Sequence, residues 1–418
     1  MRNVATFAAA FLLAGATFAQ PKNDPASAAC YYAETIALPQ GDVYFVAYVY
    51  RVCHELIVFE KNGDGFEATS ELVVEFADGE SGDVVFRDAY RDTALVADFR
   101  AASARDRYAQ GFIIAELEGD AYALVAKFTD VNSDRTKDLK PKALDVEATY
   151  RNEIGAPIVV RAGERAGENE GWTLANFGGA IPFGPREHWL IVPTRDLETR
   201  RVVVSLLSDS DTLEVSSEEF LDADVAIKKR RGEIRLTPRE GASARYFVVK
   251  GFSNSLREGA YRTRIVEEGG TPDTIETELF VRWIDKPIAL QSTYYAITML
   301  RYVEDEEVVD DLLDADDQAR ALFEYWARRD PTPETKFNEL MAEYYRRVDH
   351  ARVEFRTFEG KDGASTDRGR VYIKYGPPST VKREMNEYGA AIEIWRYDKN
   401  DKAFRFVDKS GLGNYKLE

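Results

Sequence analysis

The stretch GDVYFVAYVYRVCHELIVFEKNGDGFEATSELVVEF, residues 41–76, decides the fold class. Its first half is dense in Val, Tyr, Phe and Ile, side chains that pack well on a pleated surface. Lys61-Asn62-Gly63-Asp64-Gly65 then supplies hairpin chemistry, because Asn and Gly tolerate positive φ. In the second half Phe66, Ala68, Ser70 and Leu72 share one face, with Glu67, Thr69 and Glu71 opposite. That is the period of a half-buried strand. Outward from here, strands are expected at 83–87, 93–99, 111–117 and 121–129. A second block follows at 156–160, 188–193, 200–207, 232–236, 244–251 and 260–266. Short strands with turns at regular spacing predict antiparallel sandwiches.

The chain has 418 residues, 44% hydrophobic and 12% aromatic, more than one ordinary core requires. Residues 1–19 read as an export signal. Arg2 is the positive start, residues 4–16 carry no charge, and Thr17-Phe18-Ala19 offers a small-x-small cleavage site before Gln20. The apolar run is too short and alanine-rich to span a membrane, and no later segment approaches that length. The expected address is a periplasm or the cell exterior. In that oxidising setting Cys30 and Cys53 predict a disulfide. A metal pair lacks helpers, since the adjacent His54 would point to the other face of a strand.

Formal charge is −18, a balance that disfavours nucleic acid. Residues 318–418 contain 20 Lys/Arg against 17 Asp/Glu, so a net +3 domain follows a strongly acidic remainder. The expected division is a signal at 1–19, a β-sandwich-like domain at 20–135, a polar linker at 136–154 and a second such domain at 155–285. An acidic helical connector at 286–317 and an α+β domain at 318–418 complete it. The fold class is thus multidomain β plus α+β, two antiparallel sandwich-like modules followed by helices packed on a small antiparallel sheet.

Within the last domain Leu322, Phe323 and Trp326 fall in one helical stripe. A further helix is expected with Thr332 as cap and Pro333 in its first turn, burying Phe337, Leu340, Met341, Tyr344, Val348, Ala351 and Phe355. After residue 360 the period switches to two. Val371, Ile373 and Tyr375 predict a strand that Gly376-Pro377-Pro378 ends. Ile392 with Ile394, and Phe404 with Phe406, mark two more.

The phrases FEYWARRDPTPETKFNELMAEYYRRVDHA (323–351), STDRGRVYIKYGPP (365–378), IEIWRYD (392–398) and FRFVD (404–408) resemble the GWxTD-domain family. The resemblance implies an exported bacterial protein with a β-rich N-terminal region and carries no established activity. At the motif this chain reads Gly363-Ala364-Ser365-Thr366-Asp367, so Ala364 stands where the family has Trp.

Arg328, Arg329, Asp330, Thr366, Asp367, Arg368 and Arg370 are the candidate binding residues. Arginine forks recognise carboxylates and phosphates in two-point geometry. The economical alternative makes Asp330 and Asp367 turn or ion-pair anchors. His54, His188 and His350 are scattered, and HExxH, GxSxG and phosphate-loop motifs are absent from the sequence. No catalytic residue, metal or cofactor is assigned. Trp172 lies in the most loop-like aromatic stretch and is the place to look if the second module binds a peptide or glycan. The functional expectation is a non-enzymatic envelope scaffold or binding protein acting through its C-terminal domain, with an envelope protein or an extracellular polymer as partner. The alternative is a carbohydrate- or peptide-active enzyme using a C-terminal carboxylate.

Overall fold

The computed structural model describes residues 30–146, 153–163, 171–209, 211–269 and 274–418. The expected export signal lies outside them. In the first module β1 (Tyr31–Gln40), β2 (Val43–Cys53), β3 (Glu60–Asn62), β4 (Gly65–Asp78), β5 (Val84–Val96), a short helix α1 (Phe99–Ala102), β6 (Tyr108–Leu117), β7 (Ala121–Asp130) and β8 (Arg135–Asp145) follow in order. One sheet has the order β1-β2-β6. The other runs β3-β4-β7-β8, with β5 also on β4. Cys30 and Cys53 are disulfide-bonded, with Cα atoms 5.3 Å apart.

The unbroken apolar text of β2 has a physical reason. Tyr44, Val46, Tyr48, Tyr50 and Val52 enter the core shared with Leu72, Val74 and Phe76 of β4. Ala47 and Val49, on the other face, join a separate core with residues of the second module. A strand buried on both faces reads as a continuous hydrophobic run.

The second module comprises β9 (Ile158–Arg161), β10 (Trp172–Thr173), β11 (Ile181–Pro182), β12 (His188–Thr194), β13 (Arg201–Leu207), β14 (Thr212–Ser217), β15 (Phe220–Arg230), β16 (Glu233–Val249), β17 (Gly259–Glu268) and β18 (Thr274–Arg282). Its sheets are β10-β16-β12-β9, with β15 on β16, and β11-β18-β17-β13-β14. Val159, Leu190, Val192 and Phe247 face the second of these sheets. Val160, Ile191 and Leu236 face the sheet that holds β2. The two sandwiches therefore stack as four consecutive sheets.

Two expectations change here. Residues 136–145, the first part of the expected linker, belong to β8 and pair with β7. Leu144 is buried and Leu139 packs on the core, while the polar residues between them give the strand a loop-like composition. The strands expected at 83–87 and 93–99 are one strand, β5. Much of it is exposed, so burial does not demand apolar residues at its centre.

The C-terminal region holds α2 (Thr293–Met299), α3 (Glu306–Leu313), α4 (Gln318–Ala327), α5 (Glu339–Glu354) and α6 (Asp367–Tyr375). The sheet β19 (Thr380–Met385), β20 (Ala391–Tyr397), β21 (Lys402–Asp408) and β22 (Lys416–Leu417) follows, in that spatial order. Phe183, Trp283 and Phe337 form a ring cluster with centroids 5.3–5.8 Å apart that joins this region to the second module.

The long helix starts later than expected. Asn338, not Thr332, caps α5, its Oδ1 accepting the Met341 N–H at 2.8 Å. Its Nδ2 donates to Trp326 O at the end of α4, so one side chain serves two helix ends. Of the expected stripe, Leu340 is exposed, and Ala342 and Tyr345 are buried instead.

Residues 367–375 are a helix, not the expected strand. Thr366 caps it, accepting the Gly369 N–H at 3.1 Å, and Asp367 places negative charge in the first turn. Gly376, at φ 78°, ends it before Pro377-Pro378. Gly369 is required by close approach, since a Cβ there would lie 2.0 Å from Gly363 O.

Candidate functional site

The seven residues expected to bind fall into two groups. At the end of α4, Arg328 Nε donates to Glu324 O at 3.1 Å. Arg329 pairs with Glu304 at 3.0 Å and lies over the Tyr325 ring at 3.9 Å. Asp330 Oδ1 accepts the Thr332 N–H at 2.9 Å and anchors a turn. At the start of α6, Asp367 Oδ2 accepts the Leu417 N–H at 3.1 Å, tying the helix to β22. Arg370 is 4.0 Å from Asp367.

Arg368 sits at the centre of a buried network. Its Nη1 is 3.3 Å from Glu393 Oε2, and Nη2 donates to Gly413 O at 3.3 Å. The guanidinium stacks 4.0 Å from the Tyr415 ring centroid and 5.2 Å from that of Phe355. Glu393 also accepts Arg383 Nε at 2.9 Å and Trp395 Nε1 at 3.2 Å. Burial pushes the Glu393 carboxyl up, but Arg383, Arg368 and Trp395 outweigh it and hold the group below the ordinary carboxylate range. Glu393, which the sequence reading did not single out, is thus the acid that organises the motif. Ala364, at the family's Trp position, is fully buried in the core between α5 and α6.

An open cleft of about 610 Å³ lies elsewhere, where three parts of the chain meet. Tyr32 of β1, Tyr108 of β6 and the preceding Arg105 and Asp106 supply one wall. The connector from Trp283 to Ile288 supplies a second. Arg346, Asp349, His350, Val353 and Glu354 of α5 supply the third. Asp349 fixes the connector against the helix by accepting the N–H groups of Ile288 and, at 2.9 Å, Ala289. Burial raises the Asp349 carboxyl against the pull of those N–H groups. His350 stacks on Tyr372 with centroids 4.4 Å apart, and burial holds its imidazole below the ordinary value against the Glu354 charge. Val353 is 76% exposed at the mouth, on a helix whose other apolar residues are largely buried.

Tyr32, Asp106, Tyr108 and Glu354 carry no local sequence signal for this role. They converge only because β1, β6 and α5 pack at one junction. Trp172 is half-buried on β10 and lines a separate, more polar groove with Trp189. His54 is buried with Nδ1 2.9 Å from Ala101 O, and His188 is buried on β12. Cys30, Cys53 and Glu55 also lie together, but both sulfurs are held in the disulfide.

Residues 285–417 match the GWxTD domain. The match takes in α5, the buried Arg368–Glu393 network, the α5 wall of the cleft and most of its connector wall, from Asp285 to Ile288. The two β-modules precede it. No curated protein shows significant similarity to this chain.

Proposed function

We propose that this chain is an exported binding protein, a scaffold or adaptor rather than a catalyst, that engages a partner through the cleft between its GWxTD domain and the first β-module. The observation that carries this reading is the cleft itself. It lies at a junction of structural units, where ligand sites concentrate, and pairs an aromatic wall with exposed polar groups at the rim. The acids of the motif favour binding elsewhere over turnover at the motif. Asp330 and Asp367 hold backbone N–H groups, and Glu393 is saturated by three donors. The Cys30–Cys53 bridge and the apolar N-terminal text support the exported address.

The test is a charged side chain at the mouth of the cleft. Val353→Arg is expected to remove partners that co-purify with the wild type, with Tm essentially unchanged because Val353 is exposed. Leu95→Arg, an equally exposed position on β5, is the control. Retention of the same partners by Val353→Arg would overturn the proposal.

A further inference from the structure

The face of β1 that meets the second module carries one acid among apolar and aromatic residues. Tyr32, Glu34, Ile36 and Leu38 alternate onto it, and Ile36 and Leu38 join the core shared with β9, β12 and β16. Residues 177–179 of the second module close over Glu34. Gly178 and Gly179 take positive φ, 66° and 75°, and a Cβ on Gly178 would lie 3.2 Å from Ala33 O. The Gly179 N–H donates to the Glu34 carboxyl, whose Oε1 is buried without a partner among the described residues. Arg51, whose charge reaches Glu34, is committed elsewhere. It donates to Gln110 Oε1 and Ala175 O at 3.1 Å each, and its guanidinium lies 4.4 Å from the Phe177 ring centroid. A buried carboxylate needs a paired cation or several N–H donors, and this one has a single N–H. The closed turn therefore suits the neutral acid. The same turn backs the cleft, since the Phe177 ring lies 5.1 Å from that of Tyr32 and 5.9 Å from that of Tyr108, both on the β-side wall.

We propose that residues 177–179 are a proton-controlled latch behind the tyrosine wall of the cleft, closed on β1 while Glu34 carries its proton and released when the carboxyl ionises. Burial raises the Glu34 carboxyl to about 7, so the latch is closed in acid and loosens as pH climbs through neutrality. The groups packed around Glu34 do not titrate there. Burial pushes Tyr32 up to about 12 and raises Tyr108, and it brings Arg51 down only to about 10. The turn itself, residues 175–180, contains no ionisable side chain, and Arg282 and Arg105 act on Tyr32 rather than on Glu34. Release frees the Phe177 ring from Tyr32 and Tyr108. The latch concerns the wall itself, whatever the cleft binds.

The experiment is hydrogen–deuterium exchange of the full chain, read by mass spectrometry on a peptide over residues 175–180 at pH 5.5 and 8.0 and corrected for the pH dependence of chemical exchange. With the carboxyl at about 7 under the closed turn and at 4.5 under the open one, the opening equilibrium grows by about 25-fold over that interval. Wild-type protection should accordingly fall by at least about tenfold. Glu34→Gln keeps an acceptor for Gly179 and cannot ionise, so its protection should change by less than about twofold. A peptide over β13 should not change in either protein. The wild-type curve needs no variant, because its fall should level off above pH 7. An equal fall in Glu34→Gln, no fall in the wild type, a matching fall at β13, or a fall that continues past pH 8 would overturn the inference. Val353→Arg tests the binding role of the cleft separately, so the two readings fail independently.

Discussion

Removing the Arg368 guanidinium should expose how the GWxTD domain of this chain is held. In Arg368→Met the buried Glu393 keeps two of its three donors, Arg383, whose side chain is 78% exposed, and Trp395. It loses the partner that is itself nearly buried, at 12% side-chain exposure against 6% for Glu393. Breaking a buried pair by removing one partner costs about 3–5 kcal/mol. Retention of Arg383 places this case at the low end, near 3 kcal/mol. The lost stacking on Tyr415 and Phe355 is largely replaced by the methionine side chain. For a unit of this size, 3 kcal/mol corresponds to a fall in Tm of about 10 °C. Differential scanning calorimetry, read at the transition that moves in the variant, measures it. Arg368→Met with Glu393→Gln should recover most of the loss, because the uncompensated charge is gone. A shift below about 2 °C for the single variant would refute the reasoning and return Arg368 to the set of ligand-binding residues.

Three further outcomes follow from the same structure. Burial raises the Glu34 carboxyl to about 7, against the Gly179 N–H and the Arg51 charge, and its Oε1 has no hydrogen-bond partner. A raised folded-state value means stability present below about pH 4.5 and lost as pH climbs to 7, so Glu34→Gln should flatten Tm across that window in thermal scans. Gly369→Ala drives a methyl into the Gly363 carbonyl and should lower stability by more than about 3 kcal/mol in urea unfolding, beyond the ~1 kcal/mol typical of point variants. Replacing Cys30 and Cys53 by Ser should cost about 3 kcal/mol, read as a lower urea midpoint.

The modules were legible because β4 and β7 alternate with period two, and the turns at Asn62-Gly63 and Asp78-Gly79 punctuate them. The stacking of the two sandwiches was not. The text of β2 says that both faces are buried but does not name what covers the second. Residues 365–380 misled for a local reason. Val371, Ile373 and Tyr375 satisfy an alternating pattern over too few residues to decide, while the Thr366 cap and the Gly376-Pro377-Pro378 stop are helix punctuation. Capping chemistry should have outweighed periodicity there. The motif arginines were visible as residues, but their partners were not. Glu393 lies 25 positions from Arg368 and meets it only through the sheet. The cleft was hidden for the same reason on a larger scale, since Tyr32 and Glu354 are far apart in the sequence.

The most direct test of the central claim places a photo-crosslinking amino acid at Val353, at the mouth of the cleft, and separately at Arg370, on the motif helix. After irradiation in the native cells, the account expects a discrete crosslinked species from position 353 and none from position 370. A species from 370 alone, or from neither position, would contradict it.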